Sequence, residues 1–145
     1  MRNKLTFVLA CALSVLVSGC AQMIADSMYG DRYLKPITMS RSIKAKSQKE
    51  AVNAAVAAAG KTEWIPKTIS VETGYVLAEQ VPNVKYTAGA RDYTFRLEVR
   101  LPETGNGDAT INITPPQGLV SEVTMEQVAT KYLDALNAEL ASKKK

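Results

Sequence analysis

The stretch that decides the fold is 91-RDYTFRLEVRL-101. In an extended chain, Tyr93, Phe95, Leu97, Val99 and Leu101 share one face, while Asp92, Thr94, Arg96, Glu98 and Arg100 share the other. A period of two over this length predicts a strand with one buried and one wet side, as in an antiparallel sheet covered on a single face.

The neighbouring segments extend this reading. Gly105-Asn106-Gly107 is a turn signal, and Ala109, Ile111 and Ile113 alternate with Thr110 and Asn112 beyond it. Together with the first stretch this predicts a hairpin. Pro115-Pro116-Gln117-Gly118 ends it, because neither proline can donate to a ladder. Upstream, residues 68–73 and 75–81 are rich in β-formers, and Gly74 between them marks a bulge or tight connection.

Helical signals flank the strands. Ser47 and Glu50 have capping-box spacing ahead of an alanine-rich run, and Gly60 is the expected stop. Thr124 and Gln127 repeat that spacing. Met125, Val128, Ala129, Tyr132, Leu133, Leu136 and Leu140 then form an apolar stripe at helical period. Glu126, Lys131, Asp134 and Glu139 are expected mostly off that stripe. Lys143, Lys144 and Lys145 suit the negative end of a helix dipole or a solvated tail. The predicted class is α+β, an antiparallel β-meander of three to four strands packed against an N-terminal and a C-terminal helix, over residues 47–141.

Composition suits one such domain. The chain has 145 residues, 46% hydrophobic and 22% charged, with a formal net charge of +4. It contains 0 His and 2 Cys. That removes Ser-His-Asp triads, Cys-His pairs and His-ligated zinc. No Walker A loop, dinucleotide fingerprint or metal-ligand spacing is present. Carboxylates are the remaining candidates for acid–base work, and Glu72, Glu79 and Glu98 are read as separate surface acids. Residues 105–108 lack the acidic pattern of a calcium loop and are read as the hairpin turn. The expectation is a non-enzyme with no cofactor, no metal and no nucleic-acid partner.

The opening residues read as an address. Arg2 and Lys4 precede an apolar run over 5–17, shorter than the ~20 residues a spanning helix needs. Val17-Ser18-Gly19-Cys20 follows and resembles a bacterial lipobox. The resemblance implies cleavage between Gly19 and Cys20, a diacylglyceryl thioether on Cys20 and acylation of its amine, palmitate among the usual chains. Ala21 after the cysteine implies sorting to the outer membrane, facing the periplasm, in the enterobacterial version of the class. Residues 1–19 are thus a signal peptide. Residues 20–46 are a lipidated cysteine with a basic tether, and 142–145 a basic tail. Arg32, Lys35, Arg41, Lys44, Lys46 and Lys49 make the tether region acid-free from 32 to 49. It is either a solvated spacer or a segment that lies along anionic headgroups.

The order helix, strands, helix, together with Trp64 and the run Tyr75-Val76-Leu77-Ala78, resembles the helix-grip domains of small outer-membrane lipoproteins. That likeness implies a fold and no activity. Two features stand as binding candidates. Arg96, Glu98, Arg100 and Asn112 form a polar docking face for an envelope protein, or else a plain solvated face. Trp64, Tyr75 and Tyr86 are read as core, with a groove between sheet and helix as the alternative. The expected function is an accessory or docking lipoprotein, with a small-molecule or lipid-binding module as the competing reading.

Overall fold

The computed structural model describes residues 34–80, 94–116 and 123–142, which belong to one compact unit beginning at Leu34. The alternation at 95–100 folds as the strand its period demands. Phe95, Leu97 and Val99 are buried, while Arg96 and Arg100 are exposed. In chain order the elements are β1 (Ile37–Lys44), α1 (Gln48–Lys61), β2 (Ile65–Ser70), β3 (Tyr75–Gln80), β4 (Phe95–Arg100), β5 (Asn106–Thr114) and α2 (Met125–Ser142). The five strands form one antiparallel sheet in the order β1-β5-β4-β3-β2. The α+β class and the β2-to-β5 meander follow the sequence expectation, with one strand more than the three to four expected.

The additional strand is β1, which occupies part of the stretch assigned to the tether, so the folded unit starts ahead of residue 47. Ile37, Met39, Arg41 and Ile43 point inward, and Thr38, Ser40, Ser42 and Lys44 outward. Arg41 conceals this alternation by placing a charge at an inward position. Its register partner is Ala109, whose small side chain leaves room for the arginine stem. The guanidinium reaches out and pairs with Asp134 on α2. A charge turned inward on an edge strand also blunts edge-to-edge association.

Helix α1 begins at Ser47 as predicted, with the carboxylate half of the capping box shifted back by one residue. The Ser47 side chain accepts from the Glu50 N–H at 3.2 Å, and the Glu50 carboxylate accepts from the Lys46 N–H. Ala51, Val52, Ala54, Ala55, Ala58 and Ala59 are buried, and these short side chains let the helix lie close to the sheet. The helix does not stop at Gly60. It continues to Lys61 and is capped at Thr62, where Glu63 turns the backbone left-handed at φ 67°. The Trp64 N–H donates to Ala59 O at 2.8 Å and the Glu63 N–H to Gly60 O at 3.4 Å. These two bonds form a Schellman closure with glutamate in the place usually held by glycine. Trp64, the residue that completes it, is 3% exposed, as expected of a core aromatic.

Helix α2 also starts as predicted. Thr124 N–H donates to Gln127 Oε1 at 3.0 Å, and Gln127 N–H donates to Thr124 Oγ1 at 3.2 Å. Its apolar stripe is buried, Val128 only partly. Glu139, expected mostly away from that stripe, is 8% exposed, and its carboxylate pairs with Lys61 at the end of α1. Tyr132 Oη donates to Ala55 O. Contacts from Tyr132 to Ala55 and from Glu139 to Lys61 make the helices run side by side in the same direction.

Both helices pack on one face of the sheet, α1 over β2 and β3, α2 over β1 and β5. Val76, Ala78, Leu97, Val99, Ala109, Ile111 and Ile113 fill the space beneath them and are fully buried. The β4–β5 turn locks against the start of α1. Ala45 N–H donates to Gly105 O at 3.0 Å, and Gly105 has φ +77°. A Cβ on Gly105 would stand 2.6 Å from the Ser47 carbonyl carbon. Only glycine satisfies both the left-handed turn and this approach.

Candidate docking face

With both helices on one side, the other side of the sheet carries the alternating polar positions of every strand. Register assembles these into rows. One row runs Thr38, Asn112, Glu98, Leu77 and Thr68 from β1 to β2. The next runs Ser40, Thr110, Arg100, Tyr75 and Ser70. A third holds Thr114, Arg96, Glu79 and Ile65. All four residues expected to form the docking face, Arg96, Glu98, Arg100 and Asn112, therefore lie on one surface.

The charges on this surface are unevenly satisfied. Glu79 Oε1 lies 3.7 Å from Arg96 Nε, and its Oε2 lies 3.8 Å from Lys67 Nζ. Arg96 is thus engaged within the domain. Arg100 is exposed, Glu98 is half-buried, and neither has an ion-pair partner among the described residues. The two lie about 7 Å apart along β4, as expected for residues two apart on a strand. Ser40 Oγ and Thr110 Oγ1 are hydrogen-bonded at 2.9 Å beside them, a cross-strand hydroxyl pair that stiffens the β1 side of the face.

Sequence reasoning missed several members of this surface. Tyr75, expected in the core or a groove, is half-buried on the outer face beside Arg100. Thr38 and Ser40 join from the strand hidden in the tether. In 75–79 both alternating sets are largely apolar, so period alone does not say which set faces inward. The small, fully buried Val76 and Ala78 mark the inner set, where α1 approaches.

The remaining candidates do not converge on this face. Glu72 lies in the β2–β3 turn, at the opposite end of β3 from Glu79. Residues 101–105 connect β4 to β5, and Gly105, Asn106, Gly107 and Asp108 serve the hairpin. Among the described residues no three acidic or sulfur side chains cluster as a metal site, and no helix is long and apolar enough to cross a membrane. Gly19, Cys20, Tyr86, Asp92 and Tyr93, with the rest of 1–33, 81–93, 117–122 and 143–145, lie outside the described residues. No protein-family model matches the chain, and no curated protein matches it either.

Proposed function

We propose that the chain is a lipid-anchored, periplasm-facing lipoprotein whose domain acts without catalysis, as an accessory that docks on another envelope protein. The observation that carries this reading is the sheet face that no described element covers, where Glu98 and Arg100 stand beside Tyr75 and Asn112 without an ion-pair partner among the described residues. Arginine and tyrosine on a rigid sheet suit a protein interface, because both are enriched there and combine broad contact area with directional hydrogen bonds. The lipobox supports the other half. Anchoring at Cys20 confines the domain to a layer near the bilayer and raises its effective concentration toward any partner there. The outer membrane is the membrane implied by Ala21.

The test is in vivo photocrosslinking in the native cell, with the reactive side chain placed in turn at Asn112, Thr110 and Thr38 of the lipidated protein. A single recurring protein adduct from these positions, lost in Arg100→Glu, supports docking through this face. Adducts that are absent at all three positions, or indifferent to Arg100→Glu, overturn it.

A further inference from the structure

β4 is the middle strand of the five, and Glu98 and Arg100 flank the level of Val99, whose own side chain is buried on the inner face. The row through Glu98 continues into Asn112 on one side and Leu77 on the other. The row through Arg100 continues into Thr110 and Tyr75. A two-fold axis laid across the strands at the level of Val99 exchanges these two rows between two molecules placed face to face. Glu98 then meets Arg100 of the second copy, Asn112 meets its Thr110, and Leu77 meets its Tyr75. An axis along the strands would instead set like charge on like charge.

Charges beyond the two rows obey the same operation. At one end of the outer face, Arg96 and Lys67 share the single carboxylate of Glu79, which leaves that cluster net positive. At the other end Asp108 is exposed on β5 opposite Ser42, and Glu72 and Glu103 are exposed in the adjoining turns. Against these acids the outward strand positions at that end set Lys44. At the rims, Lys35 and Glu63 offset each other at the first end, while Lys46 and Lys49 adjoin the N-cap of α1, on the covered side. The axis lays each end over the opposite end of the second copy, positive on negative. Pairing through strand edges is the competing way for two copies to meet, and both edges resist it. β1 turns Arg41 inward, and β2 carries Pro66, which has no N–H, beside a break in register before Thr68.

We propose that the outer sheet face closes on the same face of a second copy of this chain, with β4 antiparallel to its counterpart and the two-fold axis at the level of Val99. The inference rests on the docking reading and names the partner of that face. Five strands ~4.8 Å apart and six residues at ~3.4 Å give a contact of about 24 by 20 Å, or roughly 500 Å2 per copy. Two such faces total about 1,000 Å2, the lower bound of a specific interface. Copies confined to one membrane layer meet at a raised effective concentration, which suits an interface of this size.

The experiment uses two differently tagged copies of the lipidated protein, expressed together in the native cell, with a photoreactive side chain at Asn112 of one. The expected adduct carries both tags, and mass spectrometry maps the crosslink to the neighbourhood of Thr110. Glu98→Arg in both copies sets arginine against Arg100, and Arg100→Glu in both sets glutamate against Glu98. Each should cut the two-tag adduct about tenfold or more, since like charges placed face to face are strongly unfavourable. Combining Glu98→Arg with Arg100→Glu exchanges the charges across the axis and should restore the adduct to within about twofold of wild type. Circular dichroism checks that each variant is folded, and the combined variant keeps the net charge of the wild type. A two-tag adduct that is indifferent to the single changes, that the exchange fails to restore, or that maps away from Thr110 overturns the arrangement. An adduct with a different protein, and none carrying both tags, overturns self-pairing and leaves the docking reading standing. No protein adduct of either kind overturns both.

Discussion

Tyr132 Oη donates to the carbonyl oxygen of Ala55 at 3.1 Å, joining the middles of two helices that lie 77 positions apart in sequence. The phenol is fully buried, and desolvation raises its pKa well above the usual tyrosine range. Ala55 O is a helical carbonyl, so the tyrosine occupies its second lone pair. The hydroxyl, by contrast, has no water to turn to if the helices slide.

Tyr132→Phe should therefore cost about 1 kcal/mol, the net worth of one hydrogen bond, read by urea denaturation at neutral pH. A second signature lies in alkali. Above pH ~10 the unfolded chain releases the Tyr132 proton while the folded chain keeps it, so the folded state binds more protons and stability falls as pH rises. The slope from this residue approaches about 1.4 kcal/mol per pH unit. Stability of wild type minus Tyr132→Phe, followed from pH 8 to 11, should decline above pH ~10. A difference that stays flat would show that the phenol is not buried as described.

The end of α1 offers two stabilising changes. Glu63 adopts φ 67°, a conformation that costs an L-residue energy and glycine almost none. Glu63→Gly should raise stability by roughly 0.5–1 kcal/mol, the strain relieved less the entropy glycine adds to the unfolded chain. Gly60 lies inside the last turn, and a Cβ there meets nothing within 4 Å. Gly60→Ala should contribute a similar ~0.5–1 kcal/mol. Both gains are read as increases in Tm.

Gly105→Ala acts in the other direction. It forces a methyl group against the Ser47 backbone and strains a left-handed turn at the same point. The expected loss is about 2–4 kcal/mol, with reduced amide protection at the start of α1 as well as in the hairpin.

Breaking the Lys61–Glu139 pair from one side should cost more than removing both charges. Lys61→Met leaves the buried Glu139 carboxylate without its cation, for a loss of about 1–2 kcal/mol after allowance for the exposed lysine. Adding Glu139→Leu should recover most of that, because two apolar side chains can share the same space. A double-mutant cycle at neutral pH decides it.

On the outer face, Arg100→Glu should leave the unfolding free energy within about 0.5 kcal/mol of wild type, as for other exposed substitutions, while abolishing the crosslinked adduct. Arg96→Glu should also weaken the fold slightly, since it places a third negative charge near Glu79 and Glu98. The pair of variants separates loss of docking from loss of structure.

Most secondary structure was legible because its causes are local. The alternation in 95–101, the glycine-rich hairpin, the two capping boxes and the stripe of α2 each depend on neighbours within about four residues. The four residues named for the outer face share it for the same reason: strand period assigns sides without reference to the rest of the chain.

Tertiary structure decided what depends on distant partners. Strand β1 reads as a tether until Asp134, 93 positions away, takes the charge of Arg41 and Ala109 makes room for its stem. Glu139 is buried because parallel helices bring Lys61 to it, and α1 passes Gly60 because Trp64 has a core to enter. The sequence by itself determined the two helices, the β4–β5 hairpin and the sides of its strands. Packing alone determined which charges turn inward, since a buried charge is tolerated only where the fold supplies its partner.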